Sequence, residues 1–284
     1  MSELNFPTEI IDLPSKGLIY SESSPLSSGQ VEIKYMTAKE EDILTNQSYI
    51  NKGVVLDKLL ESLIMTEGVS VKDLLIGDKN ALLVAARVLG YGKDYSFTYD
   101  GVQETVDLSQ LEPKFLHEHL FTSGNNEFDY ELPSTGTKIT FKLLTGHDET
   151  AIDRELEGLK KINKNHVPEL STRLKYMRVS VGGDSERKTV REFVDTRLLA
   201  RDSRAFRAYA KSIQPDIDLM ILGYCVDDGA SLGVVIGGWP WVVAVRRRGG
   251  GREGEEGVVN VPTALLESVC PLGVAKSSLR AGPA

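Results

Sequence analysis

Cysteine is almost absent from this chain of 284 residues, which carries only Cys225 and Cys270. Two thiols cannot build the disulfide framework of a small secreted domain, and a chain this long buries about three quarters of its surface without one. The longest apolar run, Leu232 to Val245, is too short and too rich in glycine to cross a membrane. The opening residues, MSELNFPTEI, lack the basic and apolar segments of a secretory signal. These absences predict a protein of a reducing cytoplasm that makes no membrane contact.

The sequence motifs of common enzymes are also missing. No phosphate-binding GxxxxGK[ST] loop, no dinucleotide-binding GxGxxG turn and no GxSxG nucleophile elbow occurs. His117 and His119 could offer two metal ligands, but they lie in a segment predicted to be helical, where residues i and i+2 do not share a face. We therefore predict no catalytic residue, no cofactor, no metal and no small-molecule substrate.

Positive charge is outnumbered, because 33 Lys and Arg residues stand against 41 Asp and Glu residues, for a net charge of −8. An acidic chain repels phosphate backbones, so nucleic acid is not an expected partner. A local basic face is formed on a predicted helix by Arg197, Arg201, Arg204, Arg207 and Lys211. Its members are either solvated charges on that helix or a site for a partner.

Composition divides the chain near residue 220. Residues 220–284 hold 12 of the 26 glycines, both tryptophans and both cysteines, and runs such as RRRGGGREGEEG offer little to bury. We predict an extended N-terminal arm over residues 1–20, an α+β body over residues 21–219 and an atypical Gly/Val/Arg-rich tail over residues 220–284. The tail is expected to be poorly ordered or the product of a shifted reading frame.

The body is predicted to be mainly helical with two antiparallel β-hairpins. Asp100-Gly101 and the stretch from Pro133 to Gly136 are the turn signals of the hairpins, whose predicted strands are 95–99 with 103–108 and 128–132 with 138–143. Thr37 and Glu40 form a capping box that begins a helix. Further helices are predicted over residues 54–64, 71–75, 80–89 with Asp78 as N-cap, 111–120, 147–162, 170–181, 189–199 and 202–212, and a strand over residues 31–36.

Several of these segments together resemble the base plate protein family of T-even-like contractile phages (myoviruses), whose members include the baseplate hub assembly subunit. The resemblance is collinear over roughly residues 6–219. It is carried by Leu13-Pro14-Ser15-Lys16-Gly17 with Tyr20, Gly29 to Ile33, Met36 to Thr45, Gly53 to Leu60, Asp73 to Leu75 with Gly77 to Asn80, Tyr91-Gly92 with Tyr95, Arg201 to Arg204, and Pro215 to Asp218.

The resemblance implies a non-enzymatic component or assembly factor of the baseplate hub, with other tail proteins as partners. Candidate partner-binding residues are Leu13, Pro14, Lys16 and Tyr20 in the arm, where an extended segment could add a strand to a partner's sheet, and Arg201, Arg204 and Arg207 near the C-terminal end of the body. Assembly would take place in the host cytoplasm, and the finished baseplate is the alternative location. Two other functions stay open: a chaperone that leaves before the virion is complete, and a hydrolase that helps the tail through the cell wall.

Two departures from the family pattern concern the hairpin and the C-terminus. Many relatives carry paired Cys-x-x-Cys-Gly motifs that resemble a split zinc knuckle, whereas the matching positions here are Phe97, Asp100, Cys225 and Asp228. With three of four thiols missing, we predict no structural zinc. Family members tend to end soon after a Trp-Pro pair, here Trp239-Pro240, so residues 241–284 are expected to come from a shifted frame or a fused segment.

Overall fold

Helices alternate with antiparallel strand pairs along the chain. The computed structural model describes residues 7–99, 102–162, 167–218, 220–224, 231–236, 242–248 and 257–260, and beyond residue 218 the description concerns the backbone alone. The α-helices are α1 (Ala38–Thr45), α2 (Gln47–Asn51), α3 (Val55–Leu63), α4 (Ile76–Tyr91), α5 (Gly146–Ile162), α6 (Glu169–Met177), α7 (Arg187–Glu192) and α8 (Ala200–Ile213).

The strands form four small sheets, all antiparallel. They are β1 (Thr8–Asp12) with β2 (Gln30–Lys34), β3 (Asp94–Tyr99) with β4 (Val102–Asp107), β5 (Phe128–Glu131) with β6 (Lys138–Phe141) and β7 (Arg178–Val181), and β8 (Met220–Tyr224), β9 (Ser231–Ile236), β10 (Val242–Arg248) and β11 (Gly257–Asn260) in a meander. This arrangement confirms the predicted α+β class, with a mainly helical body and both predicted hairpins.

The chain divides into two units, each with its own buried side chains. The first unit comprises residues 1–34, 64–83 and 113–217, and the second comprises residues 35–63, 84–112 and 218–284. In the first unit the ring of Phe141 meets Phe206 edge to face at 5.0 Å and Phe128 at 5.5 Å. In the second unit a cluster of buried side chains from α1, α3 and α4 is formed by Leu44, Leu59, Leu63 and Ala86.

Several helices begin where local signals place them. The capping box holds, because the Thr37 backbone N–H donates to Glu40 Oε2 at 2.9 Å and α1 begins at the next residue. The apolar face predicted over residues 54–64 becomes α3, with Leu59, Leu60 and Leu63 buried. Such elements depend mainly on their own sequence, which is why pattern alone locates them.

Other predictions were wrong, and long-range pairing explains two of them. The helix predicted over residues 111–120 is largely extended, because Pro113 pairs with Ile217 and the Lys114 N–H donates to the Asp216 carbonyl at 2.9 Å. The helix predicted over residues 170–181 ends at Met177, and the remainder is β7, which pairs with β6. The short helix predicted over residues 71–75 consists of turns, with Leu75 in an isolated bridge.

The predicted N-terminal arm is part of the first unit. β1 pairs with β2 from Thr8 opposite Lys34 to Asp12 opposite Gln30. The Leu13 N–H then donates to the Gly29 carbonyl at 2.8 Å, which continues the same register. Residues 8–20 are therefore folded onto the body and are not a separate extended segment.

Of the predicted tail, the structure describes only the backbone of β8 to β11. The interpretation of residues 220–284 as poorly ordered or frame-shifted stays a prediction.

Candidate partner-binding site

The segment Leu13-Pro14-Ser15-Lys16-Gly17 forms a tight turn that is built into the first unit. The Lys16 N–H donates to the Leu13 carbonyl at 2.9 Å, and Lys16 and Gly17 both have positive φ, at 51° and 77°. A Cβ at Gly17 would lie 2.4 Å from the Ser27 carbonyl oxygen, so only glycine allows this close approach. The turn motif therefore allows close packing against the backbone that precedes β2.

The carboxylate of Asp78 holds this turn on α4. Asp78 Oδ1 accepts a hydrogen bond from the Ser15 backbone N–H at 2.9 Å, and Oδ2 accepts one from the Tyr20 hydroxyl at 2.5 Å. The same hydroxyl oxygen accepts the Leu75 N–H at 2.9 Å. Asp78 was predicted to cap the helix, but α4 begins two residues earlier and the side chain is fully buried.

Burial raises the pKa of both acidic groups in this network. The pKa of the Tyr20 hydroxyl is raised by burial and, next, by the charge of Asp78. Burial also raises the pKa of the Asp78 carboxyl, while the hydrogen bonds from Tyr20 and Ser15 oppose that rise. Shifted pKa values of this kind can mark an active site. Here the Asp78 carboxylate is fully enclosed and accepts hydrogen bonds from two groups of the fold. A structural role as an anchor of the turn therefore explains its shifted pKa.

The four candidate residues of the arm differ in their exposure to solvent. Leu13, Pro14 and Tyr20 are buried within the first unit, so a role for them as exposed partner-binding groups is wrong for this structure. Lys16 is exposed, and its ammonium group forms an ion pair of 2.5 Å with Glu118. Because both side chains of that pair are more than half exposed, it contributes little stability.

The second group of candidates lies on one side of α8. Arg201, Arg204 and Arg207 are all exposed, while Phe206 on the opposite side is fully buried. Arg207 Nε donates to the Ser203 carbonyl of the preceding turn at 3.2 Å, and its side chain therefore runs along the helix. The sequence correctly grouped these residues, because a spacing of three places them on one helix face.

Asp202 lies between these arginines in sequence but faces inward. Its Oδ1 accepts the Ser134 backbone N–H at 2.8 Å, so it stabilises the turn between β5 and β6. Burial by itself would raise the pKa of Asp202, but hydrogen bonds from Ser134 and Thr135 outweigh it and lower the pKa. Leu199 occupies the N-cap position of α8, so neither Asp202 nor Ser203 caps this helix.

The rings of His117 and His119 lie next to each other, although a helix would place them on different faces. Their ring centroids are 5.8 Å apart, and the ring of Phe115 meets His117 at 5.0 Å. The segment before the short turn Glu118–Leu120 is not helical, so the rule that residues i and i+2 lie on different helix faces does not apply to this pair. Within the described part of the chain, however, no group of three or more His, Cys, Asp and Glu side chains is placed to hold a metal ion.

The degenerate zinc positions lie mostly beyond what the structure describes. The backbone of Phe97 lies in β3, opposite Glu104 in β4. Its side chain, together with Asp100, Cys225 and Asp228, falls outside the described residues. The expected absence of zinc therefore stays a prediction.

Arg178 is a buried cation that the sequence did not mark. The residue is 5% exposed, and its guanidinium lies over the rings of Phe193 and Phe206, at 5.4 and 5.1 Å from their centroids. None of its three guanidinium nitrogens has a hydrogen-bond partner among the described residues. Burial lowers its pKa to about 10. The two aromatic faces are its stabilising contacts in the described structure, and no local sequence pattern could have indicated them.

Comparisons with known proteins give no relative: no family model, no curated protein and no solved structure matches the chain. Among the described helices, none has the length and apolar character needed to cross a membrane.

Proposed function

We propose that this chain is a non-enzymatic component or assembly factor of the baseplate hub of a contractile phage tail, with other tail proteins as its partners. The observation that carries the proposal is the joining of separate motifs of the resemblance by specific contacts. The motif of Ser15 and Tyr20 is bonded to Asp78, which lies in another motif more than 50 residues along the chain. Long-range contacts between the motifs are what a framework built from them would require.

A second contact of this kind joins two further motifs. Gly77 lies so close to Pro215 that an added Cβ would be 1.9 Å from the Pro215 carbonyl oxygen. Asn80 Nδ2 donates to Asp216 Oδ1 at 3.1 Å in the same place. The Gly77-Asp78-Lys79-Asn80 and Pro215-Asp216-Ile217-Asp218 motifs therefore meet, which supports interpreting the whole set as one structural framework.

The exposed parts of the described structure support protein binding better than they support catalysis. Tyr20 and Asp78, whose pKa values are raised by burial, are enclosed and bonded within the fold. The exposed candidates are Lys16 and the three arginines of α8, and arginine is a common residue of protein interfaces.

The direct experiment is co-expression of the chain with each baseplate protein of the virus that encodes it, followed by size-exclusion chromatography with mass measurement. The proposal expects a stoichiometric complex with at least one hub protein. A chain that stays alone with every baseplate protein would contradict it.

The component and chaperone alternatives need a separate measurement. Quantitative mass spectrometry of purified virions would find the chain at several copies if it is retained in the tail. Its absence from virions, together with a complex in infected cells, would assign the chaperone role. During assembly the proposed location is the host cytoplasm.

A further inference from the structure

Four cations follow one another along the exposed side of α8. They form what we name the basic face, which consists of Arg201, Arg204, Arg207 and Lys211. Spacings of three, three and four residues keep the four side chains on one side of the helix. Ten residues of helix at 1.5 Å per residue give the face a length of about 15 Å.

The helix that carries the basic face is firmly seated. Phe206, Ala210 and Ile213 are buried on its other side, and the ring of Phe206 contacts Phe141 at 5.0 Å. Asp202 fixes its first turn through Ser134. The basic face is therefore held in place by the fold, so that a partner would meet it with little loss of backbone freedom.

The basic face has no acidic partner within α8 beyond the first turn of that helix. The sequence has no Asp or Glu between Ser203 and Gln214, so no acid within α8 can lie one turn beyond Arg204 or Arg207. In the described part of the chain, Arg201, Arg204 and Lys211 form no ion pair. By contrast, Arg173 and Arg191, on α6 and α7, each pair with a glutamate at 2.6 Å.

The arrangement opposes helix stability. Like charges three or four residues apart repel each other along a helix surface. Arg201 also lies in the first turn, where the helix dipole disfavours a positive charge. Lys211, in the last turn, is the one member of the basic face that the helix dipole favours, so the stability of α8 does not explain the face as a whole.

From these observations we infer that the basic face binds an acidic segment of a partner protein. The partner's glutamates or aspartates lie against Arg201, Arg204, Arg207 and Lys211. A protein segment suits the face better than nucleic acid does, because residues 1–219 carry the whole net charge of −8 and repel a long polyanion. The inference rests on the proposed function in one respect only, which is that the partner carrying the acidic segment is a tail protein.

The test uses the full chain and a fluorescein-labelled amphipathic peptide with glutamates at every third or fourth position and leucines between them. The same peptide with glutamine in place of glutamate and a short double-stranded DNA are the other two ligands. Fluorescence anisotropy should show binding of the glutamate peptide that weakens as salt rises, with much weaker binding of the other two.

Charge reversal locates the binding. The double variant Arg201→Glu with Arg204→Glu should bind the glutamate peptide about tenfold more weakly or worse. The control is Lys160→Glu with Lys161→Glu, an equal change of net charge at exposed positions in the last turn of α5, and it should bind within about twofold of the native chain. A melting temperature of the first variant at or above the native value would separate loss of binding from loss of fold, since the helix dipole favours the negative charges introduced near the start of α8. If that variant unfolds, Arg201→Gln with Arg204→Gln replaces it.

Equal peptide affinity in the native chain and the Arg201 and Arg204 variant would overturn the inference, as would equal weakening in the control. DNA that binds the face more tightly than the peptide does would also overturn it in favour of a nucleic-acid site. Because the peptide contains no phage sequence, these outcomes leave the proposed function open. A chain that binds the peptide but no baseplate protein would contradict the proposed function instead.

Discussion

Replacing Tyr20 with phenylalanine removes one oxygen atom from the buried network that holds the N-terminal turn on α4. That hydroxyl donates to Asp78 Oδ2 at 2.5 Å and accepts the Leu75 N–H at 2.9 Å. Phenylalanine fills nearly the same volume, so packing changes little. The substitution therefore isolates the two hydrogen bonds.

The expected loss is large for a single atom. A hydrogen bond to a charged group contributes roughly 1.5–3 kcal/mol, and a buried N–H left without an acceptor costs roughly 1–3 kcal/mol. Because Tyr20 and Asp78 are 8% and 0% exposed, water cannot readily replace the hydroxyl. Tyr20→Phe should lower the free energy of unfolding of the first unit by roughly 2–5 kcal/mol, a large part of the stability of a typical domain.

Urea unfolding followed by circular dichroism measures the loss, and amide hydrogen exchange locates it at Ser15 and Leu75. Tyr209→Phe is the matched control, because the Tyr209 ring stacks on Tyr130 at 4.7 Å and its hydroxyl bonds to no described residue. The control should change the free energy of unfolding by less than about 0.5 kcal/mol. Equal small losses in the two variants, with unchanged exchange at Leu75, would refute the anchoring role of Tyr20.

Two further predictions concern the same part of the first unit. Burial raises the pKa of Asp78 above the ordinary value of 3.8, so the stabilising contribution of Asp78 is full below that value and declines as pH rises through the raised pKa. Urea unfolding from acid to neutral pH should therefore show that the native chain is more stable than Asp78→Asn by an amount that shrinks as pH rises. A difference in the free energy of unfolding that stays constant with pH would contradict this prediction. Gly77→Ala should destabilise by several kcal/mol, because its Cβ would meet the Pro215 carbonyl oxygen at 1.9 Å, whereas Gly158→Ala on α5, with nothing within 4 Å, should stabilise by about 0.5–1 kcal/mol. Thermal melting of the two alanine variants checks this pair, and similar shifts in both would argue against close packing at Gly77.

Elements stabilised by neighbouring residues were predictable from the sequence. The capping box of Thr37 and Glu40, the apolar face of α3 and the two hairpins all depend on residues close together in the chain. Helix α8 was also located, because Phe206 and its buried neighbours recur at helical spacing.

Elements stabilised by distant residues were missed. The segment Thr8–Asp12 looks like an arm in isolation, and only its pairing with β2 makes it a strand. Arg178 begins a strand because β6 lies beside it, although the residues before it form a helix. A pattern within one window carries no information about such partners.

The candidate site was predictable only in part, for the same reason. The spacing of Arg201, Arg204 and Arg207 fixes their common face whatever the surrounding fold, and the structure places all three in solvent. Leu13 and Tyr20 were recognised as a motif, but their burial depends on Asp78, 58 residues beyond Tyr20 in the chain. The N-terminal motif therefore contributes mainly to the framework, and of its candidate residues only Lys16 is exposed.

The proposed role in building the baseplate hub is tested most directly by deleting the gene for this chain from a phage genome that carries it. Electron microscopy of the infected lysate should then show filled heads without complete contractile tails. Expression of the native protein in the host should restore complete tails. Normal numbers of complete, infectious, tailed particles in the deletion lysate would contradict the proposed role.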